Sequence, residues 1–216
     1  MIKDINEVPI VLHSMDSYNW TWNVWYSLFK KYVSNHGPIY FISEEKEPDF
    51  VDEIIHIKSG KGEWGERLLR SLEQIDSDLL FYMQEDFWAT KDIVLSNDIL
   101  DLFYELDMET LNICKKVDLP HLMSSYIPIE DNLYKFARHG KFTQNHQFGL
   151  WKKNVLKSNV QPNETPWKNE VNGSIRRNKN PHKVYLMDYD WYVTSVRRGH
   201  ILDRGRKVLT DNNLKL

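Results

Sequence analysis

The stretch LLFYMQEDFW, residues 79–88, combines the pattern of a buried strand with two adjacent acids. Its first five residues form an apolar run typical of a buried strand, and the run ends abruptly at Gln84, Glu85 and Asp86 before aromatic residues return. A carboxylate taken out of water is costly unless a positive or hydrogen-bonding group compensates. The two adjacent acids therefore indicate either a basic side chain close by, or a cation that arrives with a ligand.

Strands and helices alternate on both sides of this stretch. VPIVLHSMD (8–16), IYFISE (39–44) and EIIHIKSG (53–60) have the pattern of strands, while YNWTWNVWYSLFKKYV (18–33) and WGERLLRSLEQI (64–75) have helical spacing. This order predicts an α/β fold with a mixed, mostly parallel sheet flanked by helices. No linker divides the chain, so one domain over residues 1–216 is predicted. Ligands bind beyond the carboxyl ends of such strands, where the polar residues of this sequence fall.

Composition narrows the class of protein. The 216 residues carry a formal net charge of −3, which disfavours a nucleic-acid partner without excluding one. The single cysteine removes intrachain disulfides and cysteine-pair zinc sites. Neither a signal peptide nor a run of about 20 apolar residues is present, so no membrane-spanning segment is predicted and a cytoplasmic location is expected. The 8 Trp, 11 Tyr and 9 Phe indicate either a large core or a binding cleft.

The acid pair is the strongest chemical signal. Gly60, Gly62 and Gly65 fit neither the phosphate-loop order nor the dinucleotide-binding order of glycines. A Mg²⁺ or Mn²⁺ ion, by contrast, takes one or two carboxylates together with substrate phosphates, and an acidic pair at a strand end meets that need. The alternative is a pair that caps the next helix or binds an arginine.

These elements together resemble the small glycosyltransferases of the GT-A (Rossmann-like) fold, which carry a D-x-D motif or a variant at this strand end. The W-G-E-R-L-L-R-S-L helix before the acidic-aromatic strand, then FGLWKKNVL (148–156) and NETPWKNEVNGSIRR (163–177), resemble ordered motifs of compact bacterial and viral sugar transferases. The likeness spans roughly residues 8 to 200. Gln84 stands where the pattern has aspartate, which puts metal dependence in question.

The resemblance implies a donor site. It assigns Asp86 as the ligand of Mn²⁺ or Mg²⁺, and Gln84 and Glu85 as contacts of ribose or donor-sugar hydroxyls. It places the nucleotide of an NDP-sugar, a UDP-sugar first among them, across the end of the first strand. Further donor contacts would come from Ser14, Asp16, Arg67 and the basic run that includes Arg197, Arg198, His200, Arg204 and Arg206. The alternatives are an ion pair of Arg67 with Glu63 or Glu66, and a solvated basic tail.

The resemblance also implies an acceptor side. Inverting members use one carboxylate near a helix start as the base, and Glu170 is the candidate here; otherwise Glu170 is a capping or surface acid. Trp167 would stack on the acceptor sugar. Trp151 and His146 are assigned to the acceptor side by sequence adjacency alone.

The expected activity is sugar transfer to a glycan, a lipid-linked sugar or another hydroxyl, as in polysaccharide biosynthesis. Two alternatives stay open. One is a nucleotidyltransferase, although HSMDSYNW (13–20) lacks the glycine-rich loop expected after its first strand. The other is a nucleotide-sugar-binding protein without transfer activity, which the substitution at Gln84 would favour.

Overall fold

The computed structural model describes residues 2–116, 126–137, 142–179 and 183–216. Six α-helices lie within these ranges: α1 (Asn19–Tyr32), α2 (Trp64–Leu72), α3 (Asn97–Glu105), α4 (Lys153–Asn159), α5 (Pro166–Lys179) and α6 (Asp203–Asp211). The strands of the described residues are β1 (Ile10–His13), β2 (Val33–Ser34), β3 (Ile39–Ser43), β4 (Ile55–Lys58), β5 (Leu79–Gln84), β6 (Phe87–Ala89), β7 (Ile93–Val94), β8 (Thr110–Cys114), β9 (Tyr126–Glu130), β10 (Leu133–Phe136), β11 (Gly149–Lys152), β12 (Val184–Asp188), β13 (Tyr192–Thr194), β14 (Val196–Arg197) and β15 (His200–Ile201).

One sheet of nine strands organises the chain, in the order β4-β3-β1-β5-β11-β8-β12-β10-β9. Strands β4, β3, β1 and β5 are parallel, with Ile10 opposite Ile39 on one side and Phe81 on the other. Strand β11 is antiparallel to both β5 and β8, and β12 returns parallel to β8. The predicted α/β class with a mixed sheet is confirmed. The parallel strands bring the carboxyl ends of β1 and β5 side by side at one edge.

Helices cover both faces of the sheet because each face is apolar. On one face α1 buries Trp22, Trp25 and Phe29 in the larger core cluster. On the other face Leu68 and Leu72 of α2 pack in a smaller cluster with residues of β5, β11 and α4. The central strand β5 is buried on both faces, which explains its continuous apolar run.

Two segments differ from the sequence pattern. The polar segment 161–179, rich in prolines at its start, contains the 14-residue helix α5, whose buried residues are mostly polar or small. The basic C-terminal region is a short hairpin, β14–β15, followed by α6. The segment LNICKKV (111–117) has a strand-like pattern; β8 covers its first four residues, and Val117 lies outside the described residues. Among the described residues, none of the helices has the length and apolar character needed to cross a bilayer.

Candidate active site

A cavity of about 620 Å³ opens at the carboxyl ends of β1 and β5. This volume is in the range of small-molecule sites in proteins. Its walls come from the ends of these strands, the starts of α2 and α5, the segment before β11, and the C-terminal hairpin. Its lining includes His13, Ser14, Tyr18, Glu63, Trp64, Arg67, Gln84, Glu85, Asp86, His146, Gln147, Trp167, Glu170, Arg197, Arg198 and Arg204.

Glu85 and Asp86 form the turn between β5 and β6 at the cavity wall. The turn is fixed through its backbone: the Trp88 Nε1–H donates to the Glu85 carbonyl at 3.1 Å, and the Ser195 N–H donates to the Asp86 carbonyl at 2.7 Å. Both bonds use backbone carbonyls, and both acidic residues line the cavity. Trp88, which follows the acids, therefore helps to fix the turn.

The electrostatics of this turn are unfavourable for two anions. Burial raises the pKa of Glu85, and the charge of Asp86 raises it further. Burial also raises the pKa of Asp86, with a contribution from Glu170, while Arg204 opposes the shift. One oxygen of Asp86, Oδ1, is buried without a hydrogen-bond partner among the described residues. The raised pKa values show that the turn disfavours two negative charges, and a proton or a bound cation would relieve the repulsion.

Glu170 lies on α5 and lines the same cavity. Its carboxylate accepts a hydrogen bond from the backbone N–H of His146 at 3.3 Å, and burial raises its pKa to about 7. The helix is tied to the segment before β11 through Ser174, whose Oγ accepts from the Gln144 N–H at 3.1 Å and donates to the Glu170 carbonyl at 2.6 Å. A buried carboxylate with a pKa near neutrality is suited to take a proton.

The two sequence segments WGER and PWKNE meet at the cavity. The first N–H groups of α2, from Gly65 and Glu66, donate to the carbonyls of Glu164 and Pro162 at 3.0 and 3.1 Å. A side chain at Gly65 would place its Cβ 2.0 Å from the Gln161 carbonyl oxygen, so only glycine allows this approach. The backbone of residues 161–164 thereby satisfies the start of α2 and sets α5 beside it.

A buried ion pair supports the start of α5. Burial alone would raise the pKa of Glu164, but hydrogen bonds from Arg176, Asn169 and Asn172 lower it to about 2. The Arg176 guanidinium approaches the two Glu164 carboxylate oxygens at 2.8 and 2.7 Å. This network keeps Glu164 ionised near pH 7, so Glu164 is unsuited to accept a proton. Glu170, six residues later, has a pKa of about 7.

Positive charge surrounds the acid pair. Arg67, buried on α2, donates to the Ser14 carbonyl at 2.7 Å, and its Nε has no partner among the described residues. The predicted alternative, a pair with Glu63 or Glu66, is absent from the described ion pairs, where Glu66 contacts Arg70 instead. Arg204 of α6 and Arg197 and Arg198 of the β14–β15 hairpin also line the cavity. The exposed side chains of these three arginines therefore border the cavity, whereas Arg206 lies outside its lining.

Neutral rings form another part of the cavity lining. His13 stacks on Trp64 with centroids 5.6 Å apart, and Trp64 contacts His146 at 4.6 Å. Burial lowers the pKa of His13 well below its ordinary value and that of His146 to about 3, so both rings are neutral at pH 7. Within the described part of the chain, His13 Nε2 and both ring nitrogens of His146 lack hydrogen-bond partners. Neutral ring nitrogens pair with uncharged polar groups rather than with anions.

The structure brings most of the predicted site residues to this cavity. Those that line it are Ser14, Arg67, Gln84, Glu85, Asp86, His146, Trp167, Glu170, Arg197, Arg198 and Arg204. The Ser14 Oγ accepts from the Trp22 Nε1–H at 2.7 Å, which holds the end of β1 against α1. Arg198 has φ of 51°, in the tight turn with Gly199 that places its side chain at the rim.

Four predicted residues lie outside the cavity lining: Asp16, Trp151, His200 and Arg206. The Asp16 carboxylate accepts the N–H groups of Glu44, Glu45 and Lys46 at 3.1–3.2 Å and so fixes the loop after β3. Trp151 is fully buried in the core, with the Arg177 guanidinium 5.0 Å from its ring, and has no surface to offer an acceptor sugar. His200 is exposed on β15, outside the cavity lining.

Sequence reasoning missed His13, Tyr18, Trp64 and Gln147 as cavity residues. His13 could have been found, because it is the last residue of a predicted strand at the expected binding edge. Trp64 begins α2, and its position at the cavity depends on the contact of α2 with residues 161–164. Gln147 accepts from the Tyr192 hydroxyl at 2.6 Å, a contact over 45 residues that no local pattern reveals.

The side chains of the cavity can be compared with what a divalent cation, implied by the resemblance, needs as ligands. Among the described residues, no group of three or more His, Cys, Asp or Glu side chains is arranged as a metal centre. However, Mg²⁺ and Mn²⁺ often use only one or two carboxylates plus substrate phosphates and water. The orphaned Asp86 Oδ1 and the raised pKa of both acids fit a cation that arrives with a nucleotide.

No protein-family model matches the sequence, and no curated protein matches it. Solved structures match in fold. S. aureus TarS aligns with a TM-score of 0.59 at 12% identity, over 88% of this chain and 37% of TarS. TarS 1-349 in complex with UDP-GlcNAc gives 0.59 at 12% identity, over 90% of this chain and 60% of that one. UDP-glucose pyrophosphorylase complexed with UDP-glucose gives 0.57 at 8% identity, over 95% and 97%.

At these identities the likeness shows the fold alone. The chain has a GT-A-like α/β fold, as the sequence motifs predicted. It spans less than two thirds of the length of the TarS structures.

Proposed function

We propose that this protein is a glycosyltransferase that moves a sugar from a nucleotide-diphosphate donor, a UDP-sugar first among them, to a hydroxyl of a glycan or lipid-linked acceptor. One observation carries the proposal: the carboxylate of Glu170, with a pKa of about 7, lines the same cavity as the Glu85–Asp86 turn and several arginines. The arrangement supplies a base on one side and charge stabilisation for an anionic leaving group on the other.

Each group has a defined task in this proposal. Glu170 accepts the proton of the acceptor hydroxyl at its carboxylate, so that the oxygen attacks the anomeric carbon with inversion. Arg67 and Arg204 stabilise the negative charge on the departing diphosphate. A divalent cation bound at Asp86 would neutralise part of the same charge. Glu85, whose pKa is raised, is suited to hydrogen-bond donor hydroxyls.

The neutral rings of His13 and His146 suit the donor sugar better than the diphosphate, because uncharged nitrogens pair with hydroxyls without an ion-pair requirement. Trp167, at the start of α5 and 59% exposed, is positioned for the acceptor sugar to stack on its ring. The position of Gln84 at the end of β5 suits a contact with ribose or sugar hydroxyls.

The direct test is product analysis. The purified protein is incubated with UDP-glucose, UDP-galactose or UDP-GlcNAc and Mn²⁺, with and without simple glycoside acceptors, and UDP release is measured. We expect UDP release for at least one donor, stimulated by an acceptor and lost in Glu170→Gln. Donor binding without turnover under all conditions would instead indicate the non-catalytic binding protein.

A nucleotidyltransferase is the second candidate, because UDP-glucose pyrophosphorylase aligns over nearly its whole length. The segment after β1 argues against it: residues 14–20 contain no glycine that would let a backbone loop approach a triphosphate. The two activities give different products. Pyrophosphate released from UTP and a sugar 1-phosphate would establish the second candidate, whereas UDP released from a UDP-sugar would exclude it as the main activity.

A further inference from the structure

Helix α5 reverses the usual pattern of a surface helix, because its buried face is polar and its exposed face is apolar. Its buried residues are Asn169, Gly173, Ser174 and Arg177, which are polar or small. Its exposed residues include Trp167, Val171 and Ile175, with exposed fractions of 59, 53 and 54%. Residues spaced by four lie on one helix face, so these three form a continuous apolar ridge about 12 Å long. We call Trp167, Val171 and Ile175 the α5 ridge.

The charge around the ridge is one-sided. The exposed residues of segment 161–179 are Gln161, Pro162, Asn163, Trp167, Lys168, Val171, Asn172, Ile175 and Lys179. None of them is acidic, although the chain as a whole has more acids than bases. Glu164, an acid of this segment, is buried against Arg176. Lys168 and Lys179 therefore flank the ridge, and none of the exposed residues of segment 161–179 is an acid that would oppose them.

We propose that the α5 ridge docks the protein on a membrane surface that contains anionic lipid. A convex helix ridge with Trp, Val and Ile flanked by lysines matches the headgroup boundary, where apolar side chains insert and lysines meet anionic headgroups. A stable protein dimer needs about 800 Å² from each partner, far more than three half-exposed side chains provide. The ridge also begins at Trp167, a residue of the cavity wall, so docking would turn the cavity mouth towards the membrane.

Vesicle sedimentation tests this proposal without any substrate. The whole protein is mixed with vesicles of phosphatidylcholine alone, or of phosphatidylcholine with phosphatidylglycerol, and the pelleted fraction is measured at low and high salt. We expect binding to the anionic vesicles that falls at high salt. Val171→Ser with Ile175→Ser should reduce the bound fraction at least fivefold, and Lys168→Glu with Lys179→Glu should do the same.

The edge strand β9 offers a matched control. Ile127 and Ile129 are 50 and 46% exposed but lie beside Glu130, so Ile127→Ser with Ile129→Ser should leave vesicle binding unchanged. Absence of wild-type binding, or equal binding by the Val171/Ile175 variant, would overturn the proposal. A change of oligomeric state in that variant, seen by light scattering, would overturn it in favour of a self-association surface. UDP release in solution is measured separately, so failure of docking and failure of the transferase assignment give different results.

Discussion

The carboxylate of Glu170 accepts a hydrogen bond from the backbone N–H of His146 at 3.3 Å, and this contact joins the helix α5 to the segment before β11. This hydrogen bond orients the Glu170 carboxylate within the cavity. Burial raises the pKa of Glu170, and only the hydrogen bond from His146 opposes that shift. By contrast, Glu164 in the same region is neutralised by Arg176. The two acids, six residues apart, therefore differ in pKa because Glu164 has a cationic partner and Glu170 is buried without one in the described ion pairs.

Glu170→Gln should therefore remove proton acceptance while preserving shape. We expect kcat to fall by about 10²-fold or more, the scale of general-base catalysis, with the Kd of the UDP-sugar unchanged within about twofold. Steady-state UDP release and calorimetric titration measure the two quantities. Glu105→Gln, an exposed acid on α3, is the control and should match the wild type. Wild-type turnover in Glu170→Gln would contradict the assignment of the base.

Stability of the ligand-free protein should decrease as pH rises from about 6.5 to 8.5. The pKa of Glu170 is about 7 in the folded protein against an ordinary 4.5, and those of Glu85 and Asp86 are also raised. The folded state therefore binds more protons than the unfolded state, and this contribution is lost as pH passes through the folded pKa values. The buried histidines act oppositely, but only below about pH 6.5.

The measurement is the melting temperature in a pH series. Glu85→Gln should flatten the dependence and stabilise the ligand-free protein at pH 8 by roughly 1–2 kcal/mol, since it removes a buried charge from a strained pair. A melting temperature that rises between pH 6.5 and 8.5 would show that the acids are not buried against one another as described.

If the neutral ring of His146 contacts the donor sugar, a change at His146 should affect binding of a UDP-sugar but not binding of UDP. We expect His146→Ala to weaken binding of a UDP-sugar by about tenfold, on the scale of one or two lost hydrogen bonds, and to leave the Kd of UDP unchanged. Titration of both ligands into the same preparation tests this. Equal weakening of UDP and the UDP-sugar would mean that His146 supports the cavity as a whole rather than the sugar.

Alanine substitutions at Gly65 and Gly173 should lower the stability of the protein to different extents. A Cβ at Gly65 would meet the Gln161 carbonyl oxygen at 2.0 Å, whereas a Cβ at Gly173 would meet the Gln144 side chain at 2.6 Å. Backbone yields less readily than a side chain, so Gly65→Ala should lower the free energy of unfolding by about 3 kcal/mol and Gly173→Ala by about 1 kcal/mol. Urea denaturation measures both. A reversed order would indicate that residues 161–164 do not pack on α2.

The sequence predicted the strand β5, the acid pair and the helix α2 because each is a local pattern. The continuous apolar run of β5 reflects burial on both faces, and the abrupt change at Gln84 marks the edge of the sheet. The role of Glu170 as a cavity residue came from resemblance rather than from local pattern. Its position was not visible in periodicity, because α5 buries polar residues and exposes apolar ones.

The residues that sequence reasoning misplaced depend on long-range contacts. Asp16 follows the first strand as a ligand-binding residue would, but backbone N–H groups 28 to 30 residues away occupy its carboxylate. Trp151 was assigned by adjacency to a motif, yet it lies in β11, which inserts between β5 and β8 and buries the ring. Neither the position of β11 in the sheet nor the contact of Asp16 with the loop after β3 can be recognised from the residues adjacent in sequence.

We propose that the Glu85–Asp86 turn binds a cation together with a nucleotide. Calorimetric titration of UDP in the presence and absence of Mn²⁺, for the wild type and Asp86→Asn, tests this most directly. We expect Mn²⁺ to strengthen UDP binding by tenfold or more in the wild type and to have no effect in Asp86→Asn. UDP binding that is independent of Mn²⁺ in the wild type, or enhanced equally in both proteins, would contradict it.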